Sequence, residues 1–397
     1  MGKYIHEIQL NGFNLPSSPA TLKSCESLIK KERNIDEQVF QEFPLNVLEL
    51  ASGPYLWIEG SEVLIKNFSD IDNEKLDIPE ALVNIEIENF NDNNQLSIVF
   101  KNDQDLFAEG IYRFTYEYLD TLFNMGKFSS FCIENGHFDT LLYNIRRLCS
   151  VYPDKSLQYR LIKDNNQWYI RGTTSLRYVN YDNHLALYLT LYTLHLHAIE
   201  THQWFTLEKA YLSDSEIVVM FDQVRPVNII GIGKLYFGVI LINNEIKEKT
   251  FSIELRFRIQ DDEGDEFGAI PDGSEPILTI RHDSSINGVK EKLLNLKSLD
   301  PFQNRVKNLV MAIAETPYLT EDRIYSIFKK IARSREKFSK ETKKSLKTLQ
   351  QEKIIDNSLH IIKAFNRISE LMTDVEERIH LERIFYEVCL DIQKNKK

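Results

Sequence analysis

Residues Leu82-Val83-Asn84-Ile85-Glu86-Ile87 alternate apolar and polar side chains, and Leu96-Ser97-Ile98-Val99-Phe100 does so more loosely. Between them Asn91-Asp92-Asn93-Asn94 is turn chemistry, so the pattern predicts a hairpin. A second hairpin is expected where residues 157–162 meet 167–173 across Lys163-Asp164-Asn165-Asn166. Segments 105–124 and 138–149 carry helical spacing, as does the apolar stretch 183–204, which Asp182 is placed to cap. Ser18 as N-cap with Pro19 at the first helical position predicts a helix over 20–31. Strand-like runs follow at 216–221, 227–242 and 251–260, then the acidic loop 261–266 and a last strand at 277–281.

From about residue 286 the pattern is helical throughout. Asp300-Pro301 is a helix start, Thr316-Pro317 a break, and Thr320 can cap a long helix running to about 353. Further helices are expected at 357–372 and 374–393. The elements do not repeat as βαβ units, and no period of 20–50 residues recurs. The expected fold class is α+β, with a mixed, mostly antiparallel sheet body followed by an all-helical C-terminal region. Three regions are drawn on this basis: an acidic α+β region over 1–150, a central α+β domain over 151–290, and a helical region with a basic helix over 291–397.

Composition adds exclusions. At 397 residues, 43% hydrophobic and 11% aromatic, the chain is an ordinary folded protein and not a disordered, collagen-like or disulfide-scaffold one. No apolar run is long enough to span a membrane, and the opening residues meet polar side chains before a signal-peptide core can develop. His6 stands where a myristoylation signal wants Ser or Thr. Cys25, Cys132, Cys149 and Cys389 form no C-x-x-C pair, which points to free thiols and a cytoplasmic location.

Charge changes the picture more. The net charge is −11, but residues 1–110 hold 8 basic against 20 acidic side chains, while 323–353 hold 11 basic against 3 acidic. Within that basic segment Lys330, Arg333, Lys337, Lys340, Lys344 and Lys347 recur at alternating spacings of three and four and share one helix face. On one continuous helix the stripe is roughly 26 Å long. Ile324, Ile327, Phe328 and Ile331 make a buried face at its start, but Arg335 and Thr342 then fall at apolar positions, so the middle is expected to be exposed. Three readings stay open: a solvated face relieved by pairs such as Glu336–Lys340, docking onto the acidic N-terminal region of this or a neighbouring chain, and attraction to nucleic-acid phosphates. Lys predominates over Arg in the stripe, which favours point-charge attraction over bidentate reading of bases.

Other candidate chemistry is sparse. His195, His197 and His202 lie on a helical run where i and i+2 diverge, which opposes a shared metal. Gly231-Ile232-Gly233-Lys234 precedes a strand and not a helix, which opposes a phosphate loop. The acidic loop lacks the Gly and Glu positions of an EF-hand. No cofactor is indicated. A metal-dependent nuclease is one alternative, with Glu245 and Lys247 at a strand end and Asp222 as an upstream partner. Arg171, Arg177, Arg256 and Arg258 form another: with Trp168, Tyr178 and Tyr181 they could build a basic, aromatic surface for a polyanion. Against this, the aromatics can be core and the arginines paired with local carboxylates. A structural subunit of a homo- or hetero-oligomer, with the stripe docked on a neighbour's residues 1–110, is a third alternative.

Arg171 to Asn183, reading RGTTSLRYVNYDN and followed by a long helix, resembles the Arg…Ser-x-Arg-Tyr…Asp-Asn signature of the phage/plasmid-like protein family of unknown function. Gly238, Asn243-Asn244-Glu245, Arg256 with Arg258, and Arg281-His282 follow in the order of that family, over roughly residues 155–290. Asn244 stands where that family has Ser, Lys247 where Gly is usual, and no Cys-x-Asn-Gly element follows Arg258. The resemblance implies a gene of prophages, plasmids or antiviral defence islands, and assigns no catalytic residues. The expected function is a non-catalytic, nucleic-acid-binding or protein-binding component of that biology, acting through the basic helix.

Overall fold

The computed structural model describes residues 4–30, 33–101, 105–246, 251–271, 278–282, 284–293, 299–316, 320–334, 337–351, 360–372 and 374–394. It is an α+β protein built on two sheets. The larger runs Glu7–Asn11, Phe205–Ser213, Glu216–Gln223, Gly233–Asn244, Phe251–Asp261 and Glu266–Ala269 in antiparallel order, with short strands added at its margins. The smaller runs Lys75–Ala81, Ser156–Asp164, Gln167–Thr174, Leu106–Gly110, Leu96–Phe100 and Ile85–Phe90. Its one parallel junction among the described strands joins Leu106–Gly110 to Gln167–Thr174.

Both expected hairpins form. Asp164 pairs with Gln167 across a two-residue turn, and Asn165 and Asn166 both take positive φ, 47° and 65°. Asparagine tolerates that conformation, and the turn's twist matches the strands it joins. Segment 105–124 divides: Leu106–Gly110 is a strand, and a helix covers only Phe114–Phe123. The division falls at Tyr112, whose φ of 57° cannot continue a helix. The early helix is also shorter than its pattern, Leu22–Glu26, and Thr21 caps it in place of Ser18. The run 227–242 splits into Val227–Ile229 and Gly233–Asn244 around the turn at Gly231.

The larger sheet is covered on both faces, which is why Glu216–Gln223 is buried along its whole length. The 19-residue helix Asn183–Thr201 packs on one face through Leu187, Leu191 and Leu194. On the other face Val218, Met220 and Ile240 meet Val375 and Ile379 of the C-terminal helix Val375–Lys394.

Two principal cores result, and they divide the chain differently from regions 1–150, 151–290 and 291–397. One gathers residues from Leu10 to Ile71 and from Tyr181 to Ile392. The other gathers Leu82 to Ile170, between the smaller sheet and the helices Phe114–Phe123, Gly126–Glu134 and Phe138–Val151. The smaller body is thus an insertion in the larger one. Strand pairing carries the first 70 residues to Phe205–Ser213, a partnership no local pattern announces. Among the described residues no helix is long and apolar enough to cross a membrane.

Candidate functional site

The sequence-predicted residues fall into three places: two buried ionic centres and one exposed basic face. The first centre lies between the two sheets. Strand Ser156–Asp164 supplies Arg160, Gln167–Thr174 supplies Arg171, and Lys75 opens the smaller sheet. Glu245, one residue past the end of Gly233–Asn244, receives Lys75 Nζ and Arg171 Nη1, each at 2.7 Å. The Asn183 backbone N–H donates to the same carboxylate at 2.9 Å. Arg160 donates to the Glu245 carbonyl oxygen at 2.6 Å, to Asp182 at 2.6 Å and to Asp77 at 3.0 Å.

Asp182 therefore does not cap the long helix with its side chain. Its carboxylate is held by Arg160 and Arg33. Burial works against its charge, but Arg160, Arg33 and Lys75 outweigh burial and hold its carboxyl well below the usual range. Burial likewise opposes the charge on Glu245; Lys75, Arg171 and Arg160 prevail and lower its pKa. Asn243 donates to Asn183 at 2.9 Å, and the Tyr178 and His282 rings stack at 4.3 Å. Arg171, Asp182, Asn183, Asn243 and Glu245 of the resembling segments thus meet at this centre, where they tie strand ends to a helix start.

The second centre lies under the C-terminal helix. Arg256 makes a bidentate pair with Glu382, at 2.8 and 2.9 Å, and reaches Glu208 and Asp222 at 3.4 and 3.5 Å. Arg258 donates to Asp222 at 2.8 Å, pairs with Glu266, and lies over the Tyr236 ring at 4.1 Å. Burial raises the Asp222 pKa, and Glu208 adds to the rise against Arg258 and Arg256. Burial opposes the charge on Glu208 too, but Arg256 and Lys209 lower its pKa.

This geometry separates the residues of the nuclease alternative. Asp222 faces Gly238 in the ladder, and Asn244 faces Glu216, so Asp222 and Glu245 lie about 20 Å apart along the strands. Each is held by guanidinium groups, and Lys247 lies outside the described residues. Arg171, Arg256 and Arg258 are buried and paired with carboxylates, which withdraws them from a polyanion surface. Arg177 alone of that group is exposed. Trp168 packs against the smaller core, and Tyr181 is fully buried. Of the histidines, His195 accepts the Trp57 N–H at 3.1 Å, and His202 takes a left-handed conformation at the helix end. No cluster of three metal-ligating side chains occurs among the described residues.

The basic stripe is carried by two helices, Glu321–Arg333 and Lys340–Gln351, and not by one. The chain breaks at Ser334, whose hydroxyl donates to the Lys330 carbonyl oxygen, and restarts at Ser339, whose Oγ accepts the Thr342 N–H at 3.0 Å. Arg335 and Glu336 lie outside the described residues. Thr342 is buried, contrary to the exposed middle expected from the pattern. The reason is Glu377 of the C-terminal helix, which accepts both the Thr342 hydroxyl at 2.7 Å and the Ser339 N–H. Leu346 is buried beside it.

Lys330 pairs with Asp391 at 2.7 Å and Glu387 at 3.3 Å, so its partners come from the C-terminal helix and not from residues 1–110. Arg333, Lys337, Lys340, Lys344 and Lys347 are all exposed. The sequence pattern did not show Glu377 or the pair Glu387 and Asp391. These are spaced four and ten or more residues apart on another helix, and nothing local marks them as partners. Comparison with family models, with curated proteins and with solved structures finds no match to this chain.

Proposed function

We propose that this protein is a non-catalytic nucleic-acid-binding component that acts in the cytoplasm, with the basic face of Glu321–Arg333 and Lys340–Gln351 as its contact surface. One observation carries the reading: Lys340, Lys344 and Lys347 are exposed on one face of Lys340–Gln351, whose other side buries Thr342 and Leu346, and Arg333 and Lys337 are exposed just before it in the chain. Like charges held this close repel one another, and a polyanion relieves that repulsion while releasing its counterions. The arginines Arg171, Arg256 and Arg258 of the strands are buried in ion pairs, so they do not add to an exposed basic surface. The resemblance of residues 155–290 to phage/plasmid-like proteins is what supports reading this role as one in mobile-element or antiviral defence biology.

The test is fluorescence anisotropy with labelled DNA and RNA at low salt, comparing the wild type with the variant Lys340→Glu/Lys344→Glu/Lys347→Glu. Binding by the wild type and its loss in the variant are expected. Equal binding by both proteins, or none by either, would overturn the proposal. A labelled polyglutamate peptide that binds tighter than any nucleic acid would instead identify an acidic protein partner.

A further inference from the structure

We propose that the smaller sheet carries a docking face for a basic, amphipathic helix of a partner protein, on the half of its outer surface that the larger body leaves uncovered. Side chains alternate between the two faces of a sheet. Ile87, Ile98 and Ala108 point into the core beneath the three helices, so Glu86, Glu88, Val99, Phe107 and Glu109 point the other way. On that outer face Lys75, Arg160 and Arg171 are covered, because Glu245 and Asp182 of the larger body hold them. Farther along the sheet Phe107 is 45% exposed, Val99 and Tyr169 are half-buried, and none of the three joins a hydrophobic core. Val99 lies between Glu86 and Phe107 in register, and Glu109 between Ser97 and Tyr169, so these side chains are neighbours on one surface.

Charge selects the occupant. Glu86, Glu88 and Glu109 flank the apolar strip, and among the described residues only Glu86 of the three has an ion-pair partner, Lys101. Glu88 also borders a cleft of about 500 Å³ against the helix Phe138–Val151, and Asp139 in the first turn of that helix lines it too. The surface therefore repels phosphates and acidic proteins, and it attracts a partner that carries lysines or arginines beside its apolar residues. The sheet edge decides the partner's form. Arg146 donates to the carbonyl oxygens of Ile87 and Glu88, which withdraws part of the outermost strand from pairing with an extended peptide. The partner lies across the face instead, as a helix packs on a sheet. From Ile85–Phe90 to Gln167–Thr174 the open face is about 14 Å wide, which takes one helix of about 10–12 Å diameter with its cations over the rim.

The probe is a fluorescein-labelled peptide of leucine and lysine, about four helical turns long, with its leucines on one face. A scrambled peptide of the same composition has equal charge and no apolar face. Anisotropy titrations at physiological salt are expected to show that the helical peptide binds the wild type and the scrambled one does not. Phe107→Ser and Glu88→Gln/Glu109→Gln, at positions outside the hydrophobic cores, are each expected to weaken binding about tenfold, as the loss of a central contact does. Glu37→Gln/Glu49→Gln removes the same charge from exposed positions of the larger body and is expected to leave affinity within about twofold, because salt screens distant charges. Equal binding of the scrambled peptide, or an equal loss in the Glu37/Glu49 variant, would show unspecific attraction to an acidic protein and overturn the proposal. Affinity unchanged in both face variants, or no binding of the helical peptide at all, would overturn it as well. Self-association in light scattering that Phe107→Ser abolishes would give the face to a second copy and overturn the partner assignment. None of the face positions lies on Glu321–Arg333 or Lys340–Gln351, so failure here leaves the nucleic-acid reading standing.

Discussion

Glu245 receives an ammonium, a guanidinium and a backbone amide at once, all out of contact with water. Removing it leaves Lys75 and Arg171 buried with their charges uncompensated, and that costs far more than the ion pairs are worth against an apolar replacement. Glu245→Ala is expected to lose about 3–5 kcal/mol in urea unfolding. A loss below about 1 kcal/mol would show that water reaches the centre. At His195 the physics runs through pH. Burial pushes its imidazole down to about 4, against about 6.5 in the unfolded chain, so the folded form prefers it neutral. The resulting stability is present above pH 6.5 and is lost as pH falls toward 4. Between pH 7 and 5 the wild type is expected to lose about 2 kcal/mol that His195→Gln does not lose, measured as urea midpoints at the two values. Gly268 is a third such residue: a Cβ there would sit 2.3 Å from Arg256 Nη2, so the bare backbone is what admits the guanidinium to Glu382.

The helix Lys340–Gln351 is set by residues outside itself. Its own composition is mostly polar, and what holds it is the Glu377 carboxylate across its first turn together with buried Leu346. Glu377→Ala removes an N-terminal anchor, and about 1–2 kcal/mol of local stability should go with it. Amide exchange in residues 340–346 is expected to accelerate while the strands stay protected; unchanged exchange would assign the anchoring to Leu346 alone. The same dependence on distant partners explains what could be read from the sequence. Hairpins such as Ser156–Asp164 with Gln167–Thr174 were legible because turn and pattern are both local. Strand Phe205–Ser213 was not, because buried Glu208 interrupts its apolar alternation to meet Arg256 across the sheet. Leu106–Gly110 hid inside a helical pattern, because Ala108 and Gly110 are small where a strand must fit closely; a Cβ on Gly110 would approach the Leu96 carbonyl oxygen to 2.7 Å. The basic face was legible as a pattern, but its division into two helices and its ion-paired end were not.

At the scale of the molecule, the ionic centre is the joint between the two sheets. Arg160, Arg171 and Lys75 come from the smaller body, and Glu245 and Asp182 from the larger. His6 and Asp164 add an outer contact at 3.3 Å. Two cores held by one charged joint should melt together while the joint is intact. Calorimetry of the wild type is expected to give one transition, and Arg160→Met two, separated by the difference in stability of the cores. A single transition in both would show that apolar contacts couple the bodies without the arginine.

The strand Glu7–Asn11 has its partner in Phe205–Ser213, with the whole inserted body between them. On a ribosome making about 5–20 residues per second, that first strand emerges roughly 10–40 s before anything exists for it to pair with. The insertion, whose contacts are closer in sequence, has time to fold first and to carry Arg160 and Arg171 into place. The larger sheet can then close only from its C-terminal side, around an assembled neighbour. The order of synthesis thus makes the charged joint a surface presented early and covered late: a nascent chain stalled before residue 205 would hold Asp77 and Asp182 for Arg160 but would lack Glu245, the carboxylate that Lys75 and Arg171 share.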